Sequence, residues 1–177
     1  MGVGLVDLVV VADGMIKAGH TSPERLITAA GEWNGRGCRL ARRAASLSRE
    51  GVDSPQESRL RLLLVLAGLP EPRVNVIIRS RDGSWRRRYD LGYEYLRLII
   101  EYDGRQHSED TEQWLTDICR REQLDQMRWR LIIVTSEGIY REPLRTLERV
   151  REALLRCGAV EIRRTFKPEW RLHFPAR

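Results

Sequence analysis

The sequence predicts an α/β fold, with core elements in the order α-β-β-β-α-β-α from residue 54 onward and an N-terminal helical appendage before them. Three observations carry that expectation. Ser54-Pro55-x-Glu57 is a full set of helix-start signals, Ser suiting the N-cap, Pro the first helical position and Glu the third. Three runs of strand character follow: Val74 to Arg79, Trp85 to Leu91 and Leu96 to Tyr102. The first two are joined by the turn-forming Arg81-Asp82-Gly83-Ser84. Leu131-Ile-Ile-Val-Thr135 is short and almost wholly apolar, as in a strand buried on both faces, and helical stretches flank it.

From the start of the chain, residues 4–18 are mostly apolar and read as a helix closing at Gly19. Thr21 and Glu24 are spaced as a capping box, opening a helix from Pro23 to about Trp33. After the loop Asn34-Gly-Arg-Gly37, Cys38 to Ser48 makes a third helix. The helix that begins at Pro55 carries Leu60, Leu62, Leu63, Leu64, Leu66 and Ala67 and stops at Gly68-Leu-Pro70. Thr111 to Met127 is a long amphipathic helix and Glu142 to Cys157 the last clear one. The expected organisation is a helical appendage over 1–50, a core domain over 51–160 and a C-terminal extension over 161–177.

A chain of 177 residues is long enough for one domain with a sizeable core. Its formal net charge is +6, and lysine occurs only at Lys17 and Lys167, so the positive charge is nearly all arginine. Arginine's planar fork suits phosphate oxygens and base edges, which makes a polyanionic partner plausible; an arginine-rich genome gives the same composition. Cys38, Cys119 and Cys157 form neither a CxxC pair nor a zinc spacing and read as reduced thiols of a cytoplasmic protein. The N-terminus lacks the pattern of a secretory signal, and no segment approaches the roughly 20 apolar residues of a membrane span.

The stretch Asp90 to His107 holds the chemistry. Glu101 and Asp103 lie two apart on a strand and project to one face. If the chain reverses near Tyr95, Asp90 falls on the neighbouring antiparallel strand, level with Glu101. Acids converging at the end of a buried strand favour a hard divalent cation such as Mg²⁺. An unpaired charge directly after Leu98-Ile-Ile100 would be costly, which argues against two merely solvated acids.

Several phrases in this order resemble a known family. They are Ser54-Pro-x-Glu57-Ser-x-x-Arg61, Gly68-Leu-Pro70-x-Pro72-x-x-Asn75, Asp90-Leu91, Ile100-Glu101-Tyr-Asp103-Gly104-x-x-His107, and Asp117-x-x-Arg120-x-x-x-Leu124-x-x-x-x-Trp129. Together they are similar to the endonuclease-like domains related to very-short-patch repair nucleases, within the restriction-endonuclease-like PD-(D/E)XK superfamily. The resemblance implies a mixed sheet flanked by helices and a metal-dependent phosphodiesterase centred on Asp90 and Glu101. Residues 1–50 resemble the helical connector that follows an abortive-infection-antitoxin-type winged helix in longer relatives, so a fused or separate winged-helix partner is implied. Asp103 stands where the superfamily usually carries lysine, and Arg128 where relatives usually have glycine.

The resulting expectation is an endonuclease acting on DNA with Mg²⁺ or Mn²⁺ held by Asp90 and Glu101. Asp103 either joins that site or simply opens an Asp-Gly turn. His107 is a general acid or base of the same cleft, or a solvated loop histidine. Glu57 is an active-site acid by family position and a helix cap by local pattern. Arg86, Arg88 and Arg120 would contact nucleic acid; strand alternation points Arg86 and Arg88 to the side of Asp90. A solvated edge strand and a surface Asp117–Arg120 pair are the ordinary alternatives. The rival functional class is a nucleic-acid- or protein-binding module that keeps the nuclease fold without turnover.

Overall fold

Strands β1 (Arg73–Arg79), β2 (Arg86–Tyr93), β3 (Leu98–Asp103) and β4 (Arg130–Thr135) lie side by side in chain order in one mixed sheet. β1–β2 and β2–β3 are antiparallel, whereas β3–β4 is parallel. The parallel step needs a crossover, and helix α5 (Thr111–Gln126) supplies it. The computed structural model describes residues 3–80, 82–104 and 111–175, with the side chains of all of these except 111–117.

Successive side chains of β3 point to opposite faces, and each face is covered. Leu98 and Ile100 join the larger core with α4 (Pro55–Leu66) and α7 (Pro143–Arg156), whereas Ile99 joins a smaller core with Leu124 of α5. Leu60, Leu62, Leu63 and Leu64 of α4 are all fully buried, so this helix is enclosed on every side. Its start is as expected: Ser54 Oγ accepts from Glu57 N at 3.2 Å, with Pro55 first in the helix.

Helices α1 (Leu5–Lys17), α2 (Pro23–Glu32) and α3 (Cys38–Leu47) form the N-terminal unit, but α1 shares the large core through Leu5, Val6 and Val9. A buried polar cluster fastens it to α4. Asp13 accepts from Ser58 Oγ at 2.7 Å, from Arg61 Nη2 at 3.1 Å and from Arg49 N at 2.8 Å. The C-terminal stretch is also integral: Trp170 and Phe174 lie in the same core. Among the described residues no helix is long and apolar enough to cross a membrane.

Four details differ from the sequence expectation. Ser22, not Thr21, caps α2 and accepts from Arg25 N at 3.3 Å, because Pro23 opens the helix and leaves Ser22 as the last extended residue. β2 runs on to Tyr93, and Glu94–Leu96 forms a 3₁₀ turn, so β3 begins at Leu98. A short helix, α6 (Ser136–Tyr140), precedes α7; five residues are too few to show a period. Finally, strict alternation fails around Asp90. Tyr89 and Val76 pack in the smaller core, whereas Leu91 and Val74 pack against the larger one. Asn75, between Val74 and Val76, has φ 52°, a left-handed kink that Asn tolerates better than most residues.

Candidate active site

Antiparallel pairing sets Leu91 opposite Ile100 as the last pair of β2 and β3, and Asp90 and Glu101 follow directly beyond it, near enough to repel each other. The expected juxtaposition is therefore present. Asp90 Oδ2 accepts from Tyr102 N at 2.8 Å, which ties the side chain to the neighbouring strand. Burial pushes the Asp90 carboxyl from its ordinary 3.8 up to about 7. Repulsion from Glu57 and Glu101 adds to this, while the Tyr102 N–H and the positive charge of Arg120 oppose it. Asp90 thus lies in a cluster of negative charge that its surroundings only partly offset.

Glu57 touches both the helix start and the surroundings of Asp90. One oxygen, Oε2, accepts from Asp53 N at 2.9 Å, just ahead of the helix, while the carboxylate lies close enough to Asp90 to raise its pKa. Only the start of a buried helix packed under the sheet lets one short side chain do both.

Across the sheet, Arg120 of α5 pairs with Glu101 through Nη2 and Oε1, and its guanidinium lies 4.6 Å from the centre of the Tyr89 ring. Burial works to lower the pKa of Arg120, and Glu101 and Tyr89 together more than reverse it. The Nε of Arg120 is buried with no hydrogen-bond partner among the described residues. Asp103 ends β3, pairing in register with Thr135. Glu101, Asp103, Arg120 and Arg121 line a cleft of about 270 Å³ whose apolar wall is Leu131 and Ile133.

Arg88 forms an ion pair with Asp53, which places it at the same end of α4 as Glu57. Arg86 lies exposed at the start of β2, in register with Arg79. His107 lies outside the described residues, as does the side chain of Asp117. Sequence reading missed Asp53, Lys17 and Arg121. Lys17 Nζ donates to Asp53 O at 2.6 Å, so one lysine comes within a residue or two of the Glu57 cap from 36 positions away in the chain. No local pattern could have signalled that approach. Arg121 could have been found, since it follows Arg120 on the same helix.

The oxygen donors of Asp90 and Glu101 suit a hard cation. Mg²⁺ is commonly held by only one or two carboxylates, with substrate phosphate and water completing the shell. The mutual repulsion at Asp90 is what such an ion would relieve, so the residues present fit it. Among the described residues no group of three or more His, Cys, Asp or Glu side chains is placed to hold an ion, so a closed protein cage is not found there. Arg120 now supplies the positive charge beside Glu101.

Comparison with known proteins finds two relatives of the same description. Both are uncharacterized proteins of Mycobacterium tuberculosis, one from strain CDC 1551 / Oshkosh and one from strain ATCC 25618 / H37Rv. Each is 26% identical over 147 residues, covering 82% of this chain and 54% of the relative. The chain therefore spans about half the length of the curated relatives it matches. No family model matches, and no solved structure matches.

Proposed function

We propose that this chain is a cytoplasmic, metal-dependent nuclease of the restriction-endonuclease-like kind, related to very-short-patch repair nucleases, that hydrolyses DNA phosphodiesters. The observation that carries the reading is the meeting of Asp90 and Glu101 just beyond the last β2–β3 pair, with Glu57 close by and an Asp90 carboxyl pushed up to about 7. Burial does most to raise the Asp90 pKa and repulsion from Glu57 and Glu101 adds to it, the kind of perturbation that clusters at functional sites. Asp90 and Glu101 would hold Mg²⁺ or Mn²⁺, which supplies Lewis-acid polarisation of a phosphoryl oxygen and a lowered pKa of bound water. Arg120, released from Glu101, would take a phosphate oxygen, and Asp103 faces the same cleft as Glu101. A winged-helix partner, fused or separate, would bring the specificity for DNA.

A second reading has one observation in its favour. The Arg120–Glu101 pair already offsets one acid without a metal, as expected of a module that binds nucleic acid or protein without cutting. Incubating plasmid DNA with wild type and Asp90→Asn, with Mn²⁺ or EDTA, separates the two. The nuclease reading expects nicking or linearisation by wild type in Mn²⁺ alone and at least about a hundredfold less by the variant at an unchanged fold. Intact plasmid in every lane, from protein that still binds DNA, would establish the binding module.

A further inference from the structure

The cleft beside Glu101 continues beyond Arg120. A second depression of about 400 Å³ shares Arg121, Leu131 and Ile133 with it, so the two form one groove. The parallel register builds its floor: Ile133 is the partner of Glu101 and Leu131 the partner of Ile99, which sets two half-buried apolar residues directly beside the acid. β4 is the last strand of the sheet, and its Ile133 carbonyl accepts from Arg149 Nη2 at 3.2 Å. That bond brings an exposed α7 side chain to the groove. Positive charge comes to dominate along its length. Glu101 and Asp103 lie at one end with Arg120, which is paired to Glu101, and Arg121, Arg130 and Arg149 line the other beside one acid, Asp125.

A small anion would be satisfied by one of these arginines. Three of them along an apolar floor fit a chain of phosphates whose sugars and bases need a surface to lie on. We propose that the groove between α5 and α7, over the edge strand β4, carries one strand of nucleic acid away from the acidic site. Its phosphates contact Arg121, Arg130 and Arg149, and its sugars rest on Leu131 and Ile133. The inference rests on the nuclease reading for where the reacting phosphate sits, whereas the binding itself stands apart from it. Arg86 and Arg88, on β2, lie on the far side of β3 from this groove, so the two basic surfaces can be separated by mutation.

The test is fluorescence anisotropy of a short labelled single-stranded DNA with the full chain in EDTA, over about 50–200 mM salt. The protein variants are wild type, Arg121→Gln, Arg121→Gln with Arg149→Gln, and, as a control exposed on α3 of the N-terminal unit, Arg39→Gln. Wild type should bind with a clear salt dependence. The double variant should lose at least about tenfold in affinity. Its slope of log K against log salt should shrink by about 1.4, at roughly 0.7 per lost phosphate contact, and that of Arg121→Gln by about 0.7. Arg39→Gln should change both far less. Because Arg149 also bonds the strand edge, each thermal midpoint is recorded; if the double variant unfolds, Arg121→Gln alone decides, its side chain being exposed. Unchanged affinity and slope in a folded Arg121→Gln variant would overturn the proposal, as would failure of wild type to bind. Salt-dependent binding through these arginines without cleavage in Mn²⁺ would sink the nuclease reading and leave the groove standing.

Discussion

Asp90 sets an unusual sign for the pH dependence of stability. With a folded pKa of about 7 against an ordinary 3.8, the folded protein keeps a proton that the unfolded chain gives up across that window. Stability from this group is therefore full in acid and falls as pH rises towards 7, the reverse of an ion-paired carboxylate. Asp90→Asn removes the titration and the repulsion together. The variant should exceed wild type by on the order of 2 kcal/mol near pH 8, and the advantage should vanish near pH 4. Thermal melts of both proteins across that range check it; a difference that does not change with pH contradicts it. A second residue carries strain of another kind. Helix α5 ends with Trp129 N donating to Leu124 O at 2.8 Å and Arg128 N to Asp125 O at 2.9 Å, a Schellman motif with Arg128 at φ 58°. Helices α1, α4 and α7 close with the same two bonds and use Gly19, Gly68 and Gly158. Arg128→Gly should stabilise by roughly 0.5–1 kcal/mol, the left-handed penalty less the added entropy of an unfolded glycine. A urea midpoint that falls instead would show that the Arg128 side chain contributes more than its backbone costs.

Between elements, the α1–α4 contact is where a single change should cost most. Arg61 is fully buried and donates to Asp13, to the Leu47 carbonyl and to Glu71. Asp13→Ala leaves that guanidinium without its buried partner and should destabilise by about 3–5 kcal/mol, read as a fall in the urea midpoint. A loss below about 1 kcal/mol would mean that Glu71 and Leu47 suffice. This pair also marks where reading the sequence stops. Order, strand pairing and the start of α4 follow from local signals, because turn residues and caps act over three or four positions. Asp13 and Arg61 are 48 positions apart and meet only once the helices pack. The same holds for Lys17 and Asp53. The face change at Asn75 and Asp90 escaped for a different reason: the period-two rule assumes an unkinked strand, and a left-handed Asn75 breaks it. The acids themselves were legible because they sit two apart on one strand and one register step from a visible reversal. Arg120 was legible only as a candidate, since its partner lies across a parallel crossover.

At the scale of the molecule, the sheet holds Asp90 and Glu101 between a helix that brings another acid, α4, and a helix that brings a cation, α5. The two sides are asymmetric. Glu57 raises the negative charge at Asp90 from below, and Arg120 offsets it at Glu101 from above, which leaves Asp90 only partly compensated. A cation entering at Asp90 would free Arg120 for a phosphate, and the groove lined by Arg121, Arg130 and Arg149 leads away from that point. Among the described residues the N-terminal helices approach the site through Lys17 and Asp53, and α1 helps close the core. The divalent-cation site proposed at Asp90 and Glu101 is open to calorimetric titration of Mn²⁺ into wild type and Asp90→Asn near pH 7. Wild type should bind Mn²⁺ with a heat that changes with the buffer's own ionisation heat, because Asp90 must lose its proton to become a ligand. The variant should bind at least about tenfold more weakly without that dependence. Equal binding by both proteins, or no binding by wild type, would contradict it.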